Sequence, residues 1–81
     1  MKPRVTFYTR AGCCLCDEAK AVLQAARGRA EFDYEELDID RDPELRRLYN
    51  DEVPVICINQ AKAFKHHVKL EDFLRKLAAR T

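Results

Sequence analysis

The chain has 81 residues, of which 47% are hydrophobic and 36% charged, so it can build one small core and is too apolar to remain disordered. Fifteen Lys and Arg against fourteen Asp and Glu give a formal net charge of +1, no electrostatic footprint for a nucleic acid. No apolar run approaches the roughly 18 residues of a membrane span, and two glycines with three prolines exclude a collagen-like or linker-rich chain. The expectation is a single domain over residues 1–81, monomeric, with neither a nucleic-acid nor a membrane partner. The basic opening Met1-Lys2-Pro3-Arg4 is followed by only Val5-Thr6-Phe7-Tyr8, too short for a secretory hydrophobic region, so the expected location is the cytoplasm.

Val5-Thr6-Phe7-Tyr8, β-branched and aromatic, predicts a first strand. Leu15, Ala19, Val22, Leu23 and Ala26 then recur at helical spacing, and Gly28 can end that helix. Phe32 and Tyr34 alternate with charges, while Leu37 and Ile39 alternate one residue out of phase, which predicts a second strand with a bulge or early end near Glu35 and Glu36. Asp42-Pro43 opens a short helix by an acidic cap and a first-turn proline, packing Leu45, Leu48 and Tyr49. Residues 53–58 form a nearly continuous apolar strand. Asn59-Gln60 is an imperfect hairpin turn, because Gln disfavours positive φ, and residues 61–65 return. Leu70, Phe73, Leu74 and Leu77 give a last helix. The order βαβαββα, with one crossover and one tight hairpin, predicts an α/β fold with a four-stranded mixed sheet and three helices.

Charge is unevenly spread: residues 1–29 carry six basic and two acidic side chains, residues 30–56 three and ten, residues 57–81 six and two. The acidic middle reads as a solvated face, as do Lys69, Arg75, Lys76 and Arg80 on the last helix.

Three of the four cysteines, Cys13, Cys14 and Cys16, crowd into four positions; the fourth is Cys57. A secreted disulfide scaffold would spread its bridges to staple distant loops, so clustered thiols point to redox chemistry or metal binding. Cys13 and Cys16 form a C-x-x-C where a strand passes into a helix. There the unpaired N–H groups and the positive end of the helix dipole favour a thiolate, and Arg10 adds positive charge. Cys13 is therefore expected to ionise below the ~8.5 of a free thiol, with Cys16 one turn on, able to attack a mixed disulfide on Cys13. Val53-Pro54-Val55, preceded by Glu52, puts a proline at the start of a central strand, which reads as a plain strand initiator or as a cis peptide presenting backbone to a substrate.

The string Tyr8-Thr9-Arg10-Ala11-Gly12-Cys13-Cys14-Leu15-Cys16-Asp17-Glu18-Ala19, with Val53-Pro54-Val55 about forty residues later, resembles the glutaredoxin branch of the thioredoxin superfamily. The C-x-L-C-D-E-A pattern and the basic Phe64-Lys65-His66-His67-Val68 segment are similar to a small glutaredoxin-like family within it. The resemblance spans essentially the whole chain. It implies a thioredoxin fold, a nucleophilic Cys13, a resolving Cys16 and a cis-Pro54 facing them. It also implies a disulfide-bearing protein or glutathione as partner, glutathione being a co-substrate and no cofactor staying bound. Arg10 would contact a glutathione carboxylate and the Val53 backbone would pair with the tripeptide. Two features depart from typical glutaredoxins: Cys14-Leu15 replaces Pro-Tyr between the cysteines, and Lys65-His66-His67-Val68 lacks the Gly-Gly turn that holds the γ-glutamyl end. The resemblance thus implies half of a glutathione site, with the other half missing.

Blander readings stand beside these. Cys14 reads as exposed and dispensable, Cys57 as a small core hydrophobe, His66 and His67 as solvated, Arg10 as a surface charge, and Phe7 and Tyr8 as core and rim. Two other functions compete with thiol–disulfide exchange. One is zinc or iron–sulfur binding through Cys13, Cys14 and Cys16, although three ligands at one helix start cannot close a tetrahedron alone. The other is a non-catalytic thioredoxin-fold binding module whose thiols are inert.

Overall fold

In the computed structural model, which describes residues 2–80, the elements are β1 (Arg4–Thr9), α1 (Cys14–Arg27), β2 (Asp33–Asp38), a 3₁₀ turn (Ile39–Arg41), α2 (Pro43–Tyr49), β3 (Val55–Ile58), β4 (Ala61–Lys65) and α3 (Leu70–Ala79). They follow the order read from the periodicities. The four strands form one mixed sheet in the order β2-β1-β3-β4, with β1 parallel to β2 and antiparallel to β3, and β3 antiparallel to β4.

Strand side chains alternate between faces, so the register sorts the core. Val5 lies opposite Ile58 and Phe7 opposite Ile56, and all four pack with Cys16, Ala19, Leu23 and Ala26 of α1 and with Phe73 and Leu77 of α3. Phe32 meets Phe73 edge-on at 5.7 Å between centroids. The opposite face, carrying Thr6, Tyr8 and Cys57, is covered in part by α2, whose Tyr49 ring lies 4.6 Å from that of Tyr8.

Several expectations need correction. The second strand has no bulge and does not end early: Arg4↔Asp33 to Thr9↔Asp38 pair one to one. The phase change arises because Phe32 lies before the strand and Ile39 opens the 3₁₀ turn after it, both buried. The irregularity falls instead in the β3–β4 ladder, between Ile56 and Cys57. In α1 the buried stripe is rotated, with Cys16 and not Leu15 in the core. Leu48 does not pack; it is 47% exposed and no residue of α2 is buried. Asp42 caps α2 as expected, its carboxylate accepting from the Glu44 and Leu45 N–H groups at 2.9 and 3.4 Å. Pro54 lies just before β3, not within it. Asn59 and Gln60 both adopt positive φ, 52° and 70°, the mirror-image turn that suits strand twist. Asn59 secures it by accepting from the Arg4 N–H at 2.9 Å and donating its own to the Arg4 carbonyl at 2.7 Å.

Candidate active site

Two loops meet at one end of the sheet. β1 runs into residues 10–13, and β3, antiparallel to it, begins directly after residues 50–54. Gly12 supplies a φ of +75°, and an added Cβ there would find open space, so the glycine serves the backbone and not packing. The turn sets Cys13 as the N-cap of α1 in extended conformation. Its sulfur accepts from the Cys16 N–H at 3.2 Å and its carbonyl from the Asp17 N–H at 3.1 Å. A sulfur so placed takes one of the orphan donors at the positive end of the helix dipole.

Exposure differs sharply along the cluster. Cys13 is half-buried, Cys14 exposed and Cys16 buried, 1% exposed. Burial is the main cause that pushes the Cys16 thiol up from its ordinary value, and a hydrogen bond with the Cys13 side chain adds to it; the Thr9 hydroxyl and Arg10 backbone oppose it. A cleft of about 260 Å³ opens beside Cys16, lined also by Thr9, Arg10, Ala11, Asp17 and Lys20. Cys57, buried against the opposite face of the sheet, has a thiol raised by burial and partly countered by Lys62. Among the described residues no group of three or more His, Cys, Asp and Glu side chains is placed to hold a metal ion.

Arg10 is engaged within the chain. Its Nε and Nη2 donate to the two Asp40 oxygens at 3.2 and 2.7 Å, and its Nη1 donates to the carbonyl and side-chain oxygens of Asn50, both at 3.1 Å. The hydrogen bond holds the Asp40 carboxyl below its usual range, helped by the charges of Arg10 and Arg46. Arg10 thereby ties the Cys13 loop to the 3₁₀ turn and to the end of α2. The peptide between Val53 and the fully buried Pro54 is cis. The Val53 N–H donates to the Tyr49 carbonyl at 3.2 Å. His66 has a φ of +66°; its N–H donates to the Pro54 carbonyl and its ring Nε2 to the Asp51 carbonyl, both at 2.9 Å. His67 is exposed.

The structure thus brings Arg10, Cys13, Cys16, Val53 and Pro54 to one sheet end. Asp40, Asn50 and His66 join them without having been singled out as site residues. Arg10 and Asp40 are thirty positions apart, and no local pattern pairs them. The one available signal was the His66-His67 pair after β4, in the segment that lacks the Gly-Gly turn of typical glutaredoxins.

A mixed sheet of this order, flanked by three helices and with a dithiol at the start of the first, defines a protein of thioredoxin fold. Reduced Schistosoma mansoni thioredoxin pre-protein superimposes with a TM-score of 0.72 over 96% of this chain and 78% of that one, at 16% identity, a likeness of fold alone. Residues 4–78 match the Glutaredoxin-like domain (DUF836), and the chain belongs to that family. The protein Ne2328 of Nitrosomonas europaea, solved by NMR, matches with a TM-score of 0.78 and 28% identity, over 94% of this chain and 92% of its own. A curated relative, the glutaredoxin-like protein YDR286C homolog of Dictyostelium discoideum, is 34% identical over 70 residues. That alignment covers 79% of this chain but 65% of the relative's length. Fold and family support a redox-type function in general. Among the described residues no helix is long and apolar enough to cross a membrane.

Proposed function

We propose that the chain is a thiol–disulfide oxidoreductase acting on protein disulfides or glutathione mixed disulfides in the reducing cytoplasm. The observation that carries the reading is the 3.2 Å contact of the Cys13 sulfur with the Cys16 N–H, made by an accessible thiol at a helix N-terminus with a second thiol one turn behind it. Cys13 thiolate attacks one sulfur of the substrate disulfide, forming a mixed disulfide and expelling the first substrate thiolate. Cys16 then loses its proton and attacks the Cys13 sulfur, releasing the second substrate thiolate and leaving a Cys13–Cys16 disulfide. Two electrons pass to the substrate, and two glutathione molecules or one external dithiol restore the pair.

Arg10 acts in this reading by holding the Cys13 loop, with Asp40 and Asn50 taking its N–H groups, and the half-buried Val53 before Pro54 offers its backbone to the substrate chain. The test is a titration of the metal-free protein in graded reduced and oxidised glutathione, acid-quenched and read thiol by thiol by mass spectrometry. A reversible Cys13–Cys16 disulfide with Cys57 untouched is expected. Four thiols reduced throughout, or glutathione on Cys14 alone, would remove the mechanism.

A further inference from the structure

The loop that faces Cys13 receives a donor at nearly every residue. Asn50 takes Arg10, the Asp51 carbonyl takes the His66 ring, the Glu52 carboxylate takes Lys62, and the Pro54 carbonyl takes the His66 N–H. Of these donors His66 bonds to two different residues of the loop, Asp51 and Pro54, and it does so from a left-handed backbone (φ +66°) that a side chain with a Cβ adopts at a cost. Glycine would sit there without strain, so a histidine needs a compensating interaction, and the ring supplies one. A carbonyl only accepts, so Nε2 carries the proton, and both the Nε2–H neutral tautomer and the imidazolium can make this bond. The ring is therefore not the solvated group expected from its position in the sequence.

We propose that His66 is a positioning residue for substrate: its ring bond to the Asp51 carbonyl braces the Val53–Pro54 segment in the place where an extended chain carrying the target disulfide docks beside Cys13. The inference rests on the exchange reading of the same site and adds to it which residue sets the docking surface. The brace acts on the loop, not on the sulfur of Cys13. It therefore governs binding of a peptide-borne disulfide and leaves attack on a small one alone.

Two variants separate this from a structural role. His66→Gly removes the ring and relieves the backbone. His66→Gln keeps an N–H donor, because the Gln Nε2 lies the same number of bonds from Cα as the histidine Nε2. With a glutathionylated peptide as substrate, His66→Gly is expected to raise KM about three- to tenfold, the span of one hydrogen bond, with kcat little changed. Its melting temperature should not fall below that of the wild type, and its rate with a small aromatic disulfide should be unaltered. His66→Gln should restore KM. An unchanged KM in His66→Gly, or a glycine variant indistinguishable from the glutamine one, overturns the proposal. If the wild type exchanges with neither disulfide, the exchange reading itself has failed, and the brace is decided by amide hydrogen exchange. The Glu52 and Val53 N–H groups, both bonded to the Tyr49 carbonyl, should then exchange faster in His66→Gly than in the other two proteins. Equal exchange in all three refutes it.

Discussion

Replacing Cys16 by alanine separates its chemical role from its structural one. The residue is 1% exposed and packs in the cluster with Phe7, Ala19 and Phe73, so the substitution removes one buried sulfur atom and leaves a small void. Burial pushes this thiol up, so it is neutral at pH 7 and no buried charge is left unpaired by the change. The cost is then transfer plus cavity for a single heavy atom, about 1–1.5 kcal/mol. For a domain of this size, that lowers the melting temperature by roughly 4–12 °C. The assay pairs a thermal melt of the reduced proteins with mass spectrometry after mixing with a glutathionylated peptide. Cys16→Ala should hold one peptide or one glutathione on Cys13 and fail to release it without external thiol. Turnover at the wild-type rate without a trapped adduct would refute the assignment of Cys16 as resolving thiol. A loss above about 3 kcal/mol would show that its place in the core had been underestimated.

Other outcomes follow from the same physics. Burial raises the Cys16, Cys57, Tyr8 and Tyr34 groups, so the folded chain holds these protons more tightly than the unfolded one. Their contribution to stability is intact below the ordinary thiol value of about 8.5 and is lost as pH rises past it, so denaturant midpoints should fall between about pH 8.5 and 10.5. Over the same range below its raised value, release of substrate by Cys16 in stopped-flow should speed up about tenfold per pH unit, since the thiolate is the attacking form. Phe73→Ala, at a side chain with no exposure that meets both Phe32 and Phe64, should cost about 3–5 kcal/mol in urea melts. Gln60→Gly should gain up to about 1 kcal/mol, because its φ of 70° suits glycine.

Most of the fold was legible because each element carries a local signal: the alternation of β1, the Asp42-Pro43 start of α2, and the stripe Phe73 and Leu77 on α3. The C-x-x-C was legible for the same reason, being a spacing along one chain segment. What escaped were features fixed by contacts across the chain. Whether Leu15 or Cys16 turned inward depended on how α1 sits against the sheet, a rotation that two similar apolar residues cannot specify. The false bulge in β2 came from assigning Phe32 and Ile39 to the strand they flank. Arg10 looked free for a ligand because nothing near it in sequence announces Asp40 or Asn50. His66 looked solvated because its left-handed backbone, and hence its reach to Asp51, is invisible in a list of residue types.

The burial of Cys16 has a thermodynamic consequence on the exchange reading. One atom then belongs both to the redox pair and to the packed interior, so folding and oxidation form a closed cycle. Any difference in stability between the dithiol and disulfide forms must reappear as a difference between the potentials of the folded and unfolded chains. Substitutions that never approach a sulfur, such as those at Leu23 or Ala26 farther along the same helix face, would therefore tune electron transfer whenever they favour one packing of Cys16 over the other. Selection for a robust interior and selection for a given redox set-point act on the same side chains here, and neither can be adjusted independently of the other.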